Sequence, residues 1–175
     1  MTLQNSEHRF LGMEMIFLID AYNLMHAVGY LSPATPFNRM ESSRRRLLDW
    51  LGDNARTRTT DRFHVVFDAK TAPKPSADSV YRGVTVSFAF QESADDYLER
   101  MLRDAKPGTV TLVTNDTIIQ AAATKYRSPF LSCTGFVDWL ITPVVPQKVT
   151  PVDPEKPEPT GAEVELLRIF SQRKK

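Results

Sequence analysis

The stretch Met15-Ile-Phe-Leu-Ile19, followed directly by Asp20, decides the fold of this 175-residue chain. An unbroken apolar run of this length favours a strand buried on both faces, as in a parallel sheet covered by helices. Residues 63–67 repeat the pattern and also end at a carboxylate, Asp68. The repetition predicts a parallel sheet in which acidic side chains follow the strands.

The rest of the chain continues this alternation of strands and helices. Further strands are predicted over 84–90, 110–114 and 130–132. Helices are predicted over 21–28, from Asp116 to 126 and over 135–141. Two more helices are predicted to begin at caps, one at Ser93 and one at Asn38, and the latter continues through an apolar stripe: Met40, Leu47, Leu48, Leu51 and Ala55. Parallel strands need right-handed crossovers. We therefore predict an α/β domain with a doubly wound, mainly parallel five-stranded sheet and helices on both faces.

Four regions are predicted along the chain. Residues 1–13 are polar and aperiodic and are predicted to be a flexible lead, with Met13 or Met15 an equally good initiator. Residues 14–142 form the domain. Residues 143–160 hold six of the twelve prolines and predict an extended linker. Residues 161–175 predict a short amphipathic helix, which either folds back on its own domain or contacts a partner.

Composition and charge narrow the classes of protein. The 22 Lys and Arg residues against 21 Asp and Glu leave a net charge of +1, so any nucleic-acid binding must be local. A single cysteine, Cys133, excludes an internal disulfide, and no signal peptide or membrane segment is recognisable. These features predict a soluble, cytoplasmic protein.

The acids that follow the strands are the candidate site. Asp20, Asp68 and Asp116 follow three different strands, and Asp95 lies in the first turn of the helix after 84–90. Ligands of open parallel sheets bind at the carboxyl ends of the strands, so these acids are expected to share one rim. Clustered carboxylates repel one another and need a counter-charge. Hard oxygen ligands suit Mg²⁺ or Mn²⁺, which serve phosphodiester hydrolysis.

Simpler interpretations exist for each of these residues. An aspartate after a strand is commonly a helix cap. Asn23 is one helical turn past Asp20 and is either a local hydrogen-bonding residue or a group that orients phosphate or water. His26 and His64 are interpreted as packing or surface residues, and Cys133 as a small buried one.

Four spaced motifs resemble the YacP-like NYN domain family of PIN-like, metal-dependent ribonucleases. They are Leu18-Ile-Asp20-Ala-Tyr-Asn23-Leu, Val65-Val-Phe-Asp68-Ala, Glu92-Ser-Ala-Asp95-Asp-Tyr-Leu-Glu99 and Val113-Thr-Asn-Asp116, and the match spans about residues 15 to 142. The resemblance implies a parallel sheet with an acidic metal pocket and endoribonuclease activity. Some family members act on messenger RNA at the ribosome.

The resemblance also implies roles for individual residues. Carried over by position, the metal-binding acids are Asp20, Asp68, Asp95 and Asp116, and Asn23 is the polar residue of the first motif. Our leading hypothesis is that Asp20, Asp95 and Asp116 bind the metal and that Asp68 completes the site or positions the attacking water. Family members usually have glycine after the first Asp, where this chain has Ala21. The linker and terminal helix lie outside the matched part.

A local excess of arginine suggests where RNA binds. Residues 39–62 contain seven Arg against four acids. Phosphate contacts are expected from the following residues: Arg44, Arg45, Arg56, Arg58 and Lys70. The alternative is a solvated helix face.

Other functions remain open at this stage. A non-catalytic RNA- or ribosome-binding adaptor needs only the fold. A phosphoacceptor receiver domain is disfavoured because Cys133-Thr134 stands where a lysine is required. A phosphatase with a nucleophilic Asp is disfavoured because Asp20-Ala-Tyr lacks a second carboxylate two residues on. Oligomeric state, the number of metals and a preference between RNA and single-stranded DNA are not predicted.

Overall fold

The computed structural model describes residues 15–68 and 78–143. The elements are β1 (Met15–Asp20), α1 (Ala21–Ala27), α2 (Met40–Ala55), β2 (Asp61–Asp68), β3 (Ser79–Tyr81), β4 (Val84–Ala89), α3 (Ala94–Asp104), β5 (Val110–Val113), α4 (Thr117–Lys125), β6 (Phe130–Leu131) and α5 (Cys133–Ile141). The predicted lead, all but the first residue of the predicted linker, and the predicted terminal helix lie outside the described residues.

The strands form one sheet in the order β3-β4-β2-β1-β5-β6. All neighbouring pairs are parallel except β3 and β4. From the central β1 the chain moves outward to β2 and β4, and then returns across β1 to β5. The strand order therefore reverses between β1 and β5, which is where doubly wound sheets bind ligands. The predicted architecture is confirmed.

Helices bury apolar side chains on both faces of the sheet. One core cluster joins α1, α2 and α5 to the odd-numbered side chains of β1 and β2, and a second joins α3 and α4 to the even-numbered side chains of β1. Phe17, Phe63, Phe136 and Trp139 pack together in the first, with ring centroids 4.4 to 6.4 Å apart. Side chains alternate along a strand, so Asp20 and Asp68 leave the sheet on the α3 side.

The sheet has one strand more than the five predicted. β3 is only three residues long and mostly exposed, so it carries no apolar pattern. The hairpin that follows it is held against α2 instead, where Arg82 pairs with Asp49 and Asp53 at 3.1 and 2.5 Å. A Cβ on Gly52 would lie 2.7 Å from the Arg82 Cβ, so a glycine is needed at this crossing.

The start of α2 differs from the prediction. Asn38 does not cap the helix but lies inside a 3-10 turn, Phe37–Arg39, that runs directly into it. Arg39 at the cap position already has helical backbone angles and makes no side-chain cap bond. A side-chain cap requires an extended residue at that point, so the entry through a 3-10 turn removes it. The predicted apolar stripe faces the core as expected.

None of the helices in the described part of the chain is long and apolar enough to span a membrane.

Candidate active site

Asp20 is the acid that its surroundings hold in place. It ends β1, is 4% exposed, and caps α1. One carboxylate oxygen accepts the backbone N–H of Asn23 at 3.2 Å, and the other accepts the Asn23 side-chain amide at 2.6 Å and the Thr114 hydroxyl at 3.0 Å. Three donors hold a buried carboxylate in one orientation. Asn23 is thus a local partner of Asp20, and its predicted place beside the acid is observed.

Thr114 links the two strands at the point where the strand order reverses. Its side chain is fully buried, and its hydroxyl donates to Asp20 while accepting the backbone N–H of Asp116 at 3.1 Å. Asp116 in turn caps α4 by accepting the Ile118 N–H at 2.7 Å. Thr114 was not predicted as a site residue. Its only signal in the sequence is its place between strand β5 and Asp116.

The loop carrying Asp116 is braced from both sides. The side-chain oxygen of Asn115 accepts the Cys133 N–H at 2.9 Å, which ties the loop to α5. Gln120 donates its amide to the Thr114 carbonyl at 2.8 Å, which ties the loop to α4. Because both ends of the loop are bonded, the position of Asp116 relative to Asp20 is well defined.

Asp95 reaches the same rim from the far side. It is an exposed residue in the first turn of α3, and Ser93 caps that helix by accepting the Asp96 N–H at 3.0 Å. Although the residue as a whole is exposed, desolvation of its carboxylate raises its pKa, and the charges of the surrounding acids raise it further: Asp20, Asp116, Asp96 and Asp68. Each of the other three predicted acids is therefore close enough to Asp95 for its charge to repel that carboxylate.

Asp68 occupies the edge of this group. It is the half-buried last residue of β2, and its Cα pairs with Ala89 of β4. The Cα of Asp20 pairs with Val66, two residues earlier in β2, so Asp68 projects beyond Asp20 on the same face.

The acids do not form a closed metal cage. Within residues 15–68 and 78–143, no three His, Cys, Asp or Glu side chains are grouped closely enough to hold an ion by themselves. Asp20 and Asp116 are also helix caps, so the simpler interpretation of each is correct as far as it goes. Asp116 is half-buried and Asp95 is exposed, so both are accessible to solvent at the rim.

Cys133 lies behind the site and takes no part in it. The thiol is completely buried, and burial together with the charge of Asp20 raises its pKa to about 12. A thiol with so high a pKa stays protonated at neutral pH and is neither a nucleophile nor a metal ligand. The interpretation of Cys133 as a small buried residue is correct.

The arginines predicted to bind RNA occupy very different environments. Arg44 lies 5.6 to 5.8 Å from the ring centroids of Tyr22, Phe67 and Phe88, and it donates to the Tyr22 hydroxyl at 2.6 Å. Arg45 and Arg56 are exposed. Lys70 lies outside the described residues.

Arg58 is not available to RNA, which corrects the prediction. It is 5% exposed and donates to the carbonyl oxygens of Trp139, Leu140 and Thr142 at the end of α5. Its guanidinium also lies 3.8 Å from the Trp139 ring centroid. The last carbonyls of a helix have no partner within the helix, so a buried cation placed there stabilises α5.

Comparison with known proteins supports the same fold and family. The family model of the YacP-like NYN domain matches residues 17–144. Two crystal structures of Rae1 (YacP) from Bacillus subtilis, one of them of a single-residue mutant, each match with a TM-score of 0.54 and 23% identity. They cover 72% and 71% of this chain and 74% and 72% of theirs. A search of curated proteins gives no significant match.

Proposed function

This chain belongs to the YacP-like NYN domain family, whose members are PIN-like nucleases, and we propose that it is a metal-dependent endoribonuclease acting on single-stranded RNA. The observation that carries the proposal is the arrangement at the carboxyl ends of β1 and β5, where the Thr114 hydroxyl donates to Asp20 and accepts the Asp116 N–H. Burial, and then the charges of Asp20, Asp116, Asp96 and Asp68, also raise the pKa of Asp95, and such repulsion at a strand-end crevice is typical of a site that binds a cation.

The donor chemistry of the rim fits a hydrated divalent cation. Mg²⁺ keeps several of its waters and is usually held by one or two carboxylates together with substrate phosphate, so a closed cage of three acids is not required. Asp20, Asp95 and Asp116 would hold the ion, as Mg²⁺ or Mn²⁺. When bound, it would neutralise charge on the phosphate and lower the pKa of a bound water.

The chain's own residues have distinct tasks in this account. Thr114 and Asn23 fix the orientation of Asp20, and Asn115 fixes the loop that carries Asp116. Asp68, which projects beyond Asp20, would orient the attacking water and accept its proton. Attack at phosphorus breaks one P–O bond, leaving phosphate on one fragment and a hydroxyl on the other.

The alternative is a non-catalytic adaptor that binds RNA or the ribosome through the same fold. The lack of a preformed three-ligand group among the described residues favours it. The presence of all four predicted acids at one rim favours the nuclease. The most specific part of the nuclease proposal is that the protein acts on messenger RNA at the ribosome.

The experiment that separates the two uses end-labelled single-stranded RNA with Mg²⁺, Mn²⁺ or chelator, beside a DNA strand of the same sequence. The nuclease produces internal cuts that chelator abolishes and that Asp116→Asn lacks, while RNA binding by the variant is retained. Binding without cleavage, both with the free RNA and with RNA presented on ribosomes, would favour the adaptor.

A further inference from the structure

An open pocket lies beside the start of α2, on the opposite face of the sheet from α3. Its volume is about 430 Å³, within the range of small-molecule sites. Its lining is polar and cationic, and consists of Tyr30, Ser32, Thr35, Arg39, Ser42, Ser43 and Arg46 with Ala34 and Pro36. Four of these residues are spaced as one face of a helix: Arg39, Ser42, Ser43 and Arg46. The two arginines therefore project on the same side.

Among the residues that the structure describes, the two arginines of the pocket have no acidic partner. Within residues 15–68 and 78–143, no carboxylate forms an ion pair with Arg39 or Arg46. The Arg46 guanidinium instead lies 4.2 Å from the ring centroid of Tyr30. Stacking of this kind holds a guanidinium in place while leaving its N–H donors free to bind an anion.

The loop that forms the other wall is held by its own hydrogen bonds. Thr35 donates its N–H to the Ser32 carbonyl at 2.9 Å, and the Thr35 hydroxyl oxygen accepts the Ser32 N–H at 2.8 Å. Ser32 and Thr35 thus add two hydroxyl groups to the lining of the pocket. Phe37 does not line the pocket but lies between the lining residues Pro36 and Arg39 in the sequence, and its side chain is 71% exposed, so its ring is accessible to a ligand.

Contacts of Arg44 connect the pocket with the acidic rim. Arg44 lies on α2 between the lining residues Ser43 and Arg46. It stacks on Phe67, the neighbour of Asp68, and donates to Tyr22, two residues beyond Asp20. The beginning of α2 therefore lies at the same end of the sheet as the acids.

We propose that this pocket is a subsite for a nucleotide of the RNA strand, away from the bond that is cut. Arg39, Arg46 and the hydroxyl groups bind its phosphate, and Phe37 stacks on its base. Cations, hydroxyl donors and an exposed aromatic ring together are the chemistry of single-strand binding without sequence preference. The inference rests on the proposed function, because it takes RNA as the polymer that reaches the rim.

The test measures the affinity of a fluorescent twelve-nucleotide single-stranded RNA in chelator, so that no cleavage occurs, over a series of salt concentrations. Arg39→Ala/Arg46→Ala is compared with Arg103→Ala/Lys106→Ala, which removes two exposed cations at the far end of α3. The pocket variant should bind about tenfold more weakly, and its salt slope should fall by about 0.7 for each phosphate that the protein no longer neutralises. The control should stay within about twofold of the unmodified chain.

Phe37→Ala supplies a second variant, because an exposed ring can be removed without disturbing the core. We expect its affinity to fall about fivefold or more while its salt slope stays unchanged. Unchanged affinity and slope in the arginine variant would overturn the inference even if the protein cuts RNA. Pocket-dependent binding by a protein that never cuts RNA would instead retain the subsite and reject the nuclease.

Discussion

The acidic rim and the arginines that follow residue 39 are both clusters of charge, yet only the first is brought together by the topology. Asp20, Asp68 and Asp116 come to one edge because parallel strands end there. The arginines lie on a helix and the loop after it, where neighbours in sequence face in different directions. Arg44 lies among aromatic rings, Arg58 is buried under α5, and Arg45 is exposed. Local density of charge therefore says little about shared function.

The largest expected effect on stability distinguishes Arg58 from Arg56, which lies two residues before it. Arg58→Ala should lower the free energy of unfolding by about 3 kcal/mol, because it leaves buried carbonyls of α5 without a donor and opens space beside Trp139. Arg56→Ala, which removes an exposed side chain, should stay within about 0.5 kcal/mol of the original. Urea unfolding of both variants decides the matter, and equal decreases would mean that Arg58 does not hold α5.

A smaller effect is expected where a neutral residue supports the acids. Thr114→Val keeps the shape but removes the hydroxyl that donates to Asp20 and accepts from Asp116. Cleavage should slow about tenfold to a hundredfold, the usual cost of losing a partner that orients a ligand. Thr114→Ser should restore most of the rate. A valine variant with a normal rate would show that the rim does not depend on this link.

The smallest effect concerns the repulsion at the rim itself. Because the pKa of Asp95 is raised in the folded state, its ionised form opposes folding at neutral pH, and this opposition fades as the pH falls through that pKa. Asp95→Asn should therefore raise the free energy of unfolding in chelator by under about 1 kcal/mol at pH 7, a small gain since the side chain is exposed. The gain should vanish near pH 3, where an ordinary Asp is protonated.

Added metal should reverse the order of stability of these two proteins. Mg²⁺ or Mn²⁺ should raise the melting temperature of the unmodified chain more than that of Asp95→Asn, because a bound ion stabilises the state that binds it. Equal shifts in both would show that Asp95 does not contribute to metal binding.

Much of the fold follows from patterns along the chain. Five strands could be predicted from the apolar runs. The helix that carries Asp95 could be predicted from its cap Ser93, and the next helix from Asp116 at its start. Strand β3 could not be predicted, because a three-residue edge strand needs no apolar pattern and its hairpin is held by Arg82, Asp49 and Asp53 instead. The prediction that Asn38 caps α2 was wrong, because such a residue caps a helix only where the backbone enters from an extended conformation.

The arrangement of the candidate site could be predicted where topology decides it and could not where packing decides it. The proximity of the four acids belongs to the first kind, and their role as a metal site stays a prediction. Thr114 belongs to the second, because its hydroxyl bridges two strands that are distant in sequence. Arg58 does too, since its carbonyl partners lie more than eighty residues away. Ala21, where family members usually have glycine, is completely buried and belongs to the core cluster of α1, α2 and α5.

The most direct test of the central claim compares two substitutions of the same chemistry. Asp20→Asn neutralises the acid at the centre of the rim, whereas Asp104→Asn neutralises an exposed acid at the far end of α3. With melting temperatures recorded for both, single-turnover cleavage of end-labelled RNA in Mg²⁺ or Mn²⁺ should fall about a hundredfold or more for Asp20→Asn. The rate should be unchanged for Asp104→Asn. Cleavage by Asp20→Asn at the unmodified rate would contradict the assignment of the rim as the active site.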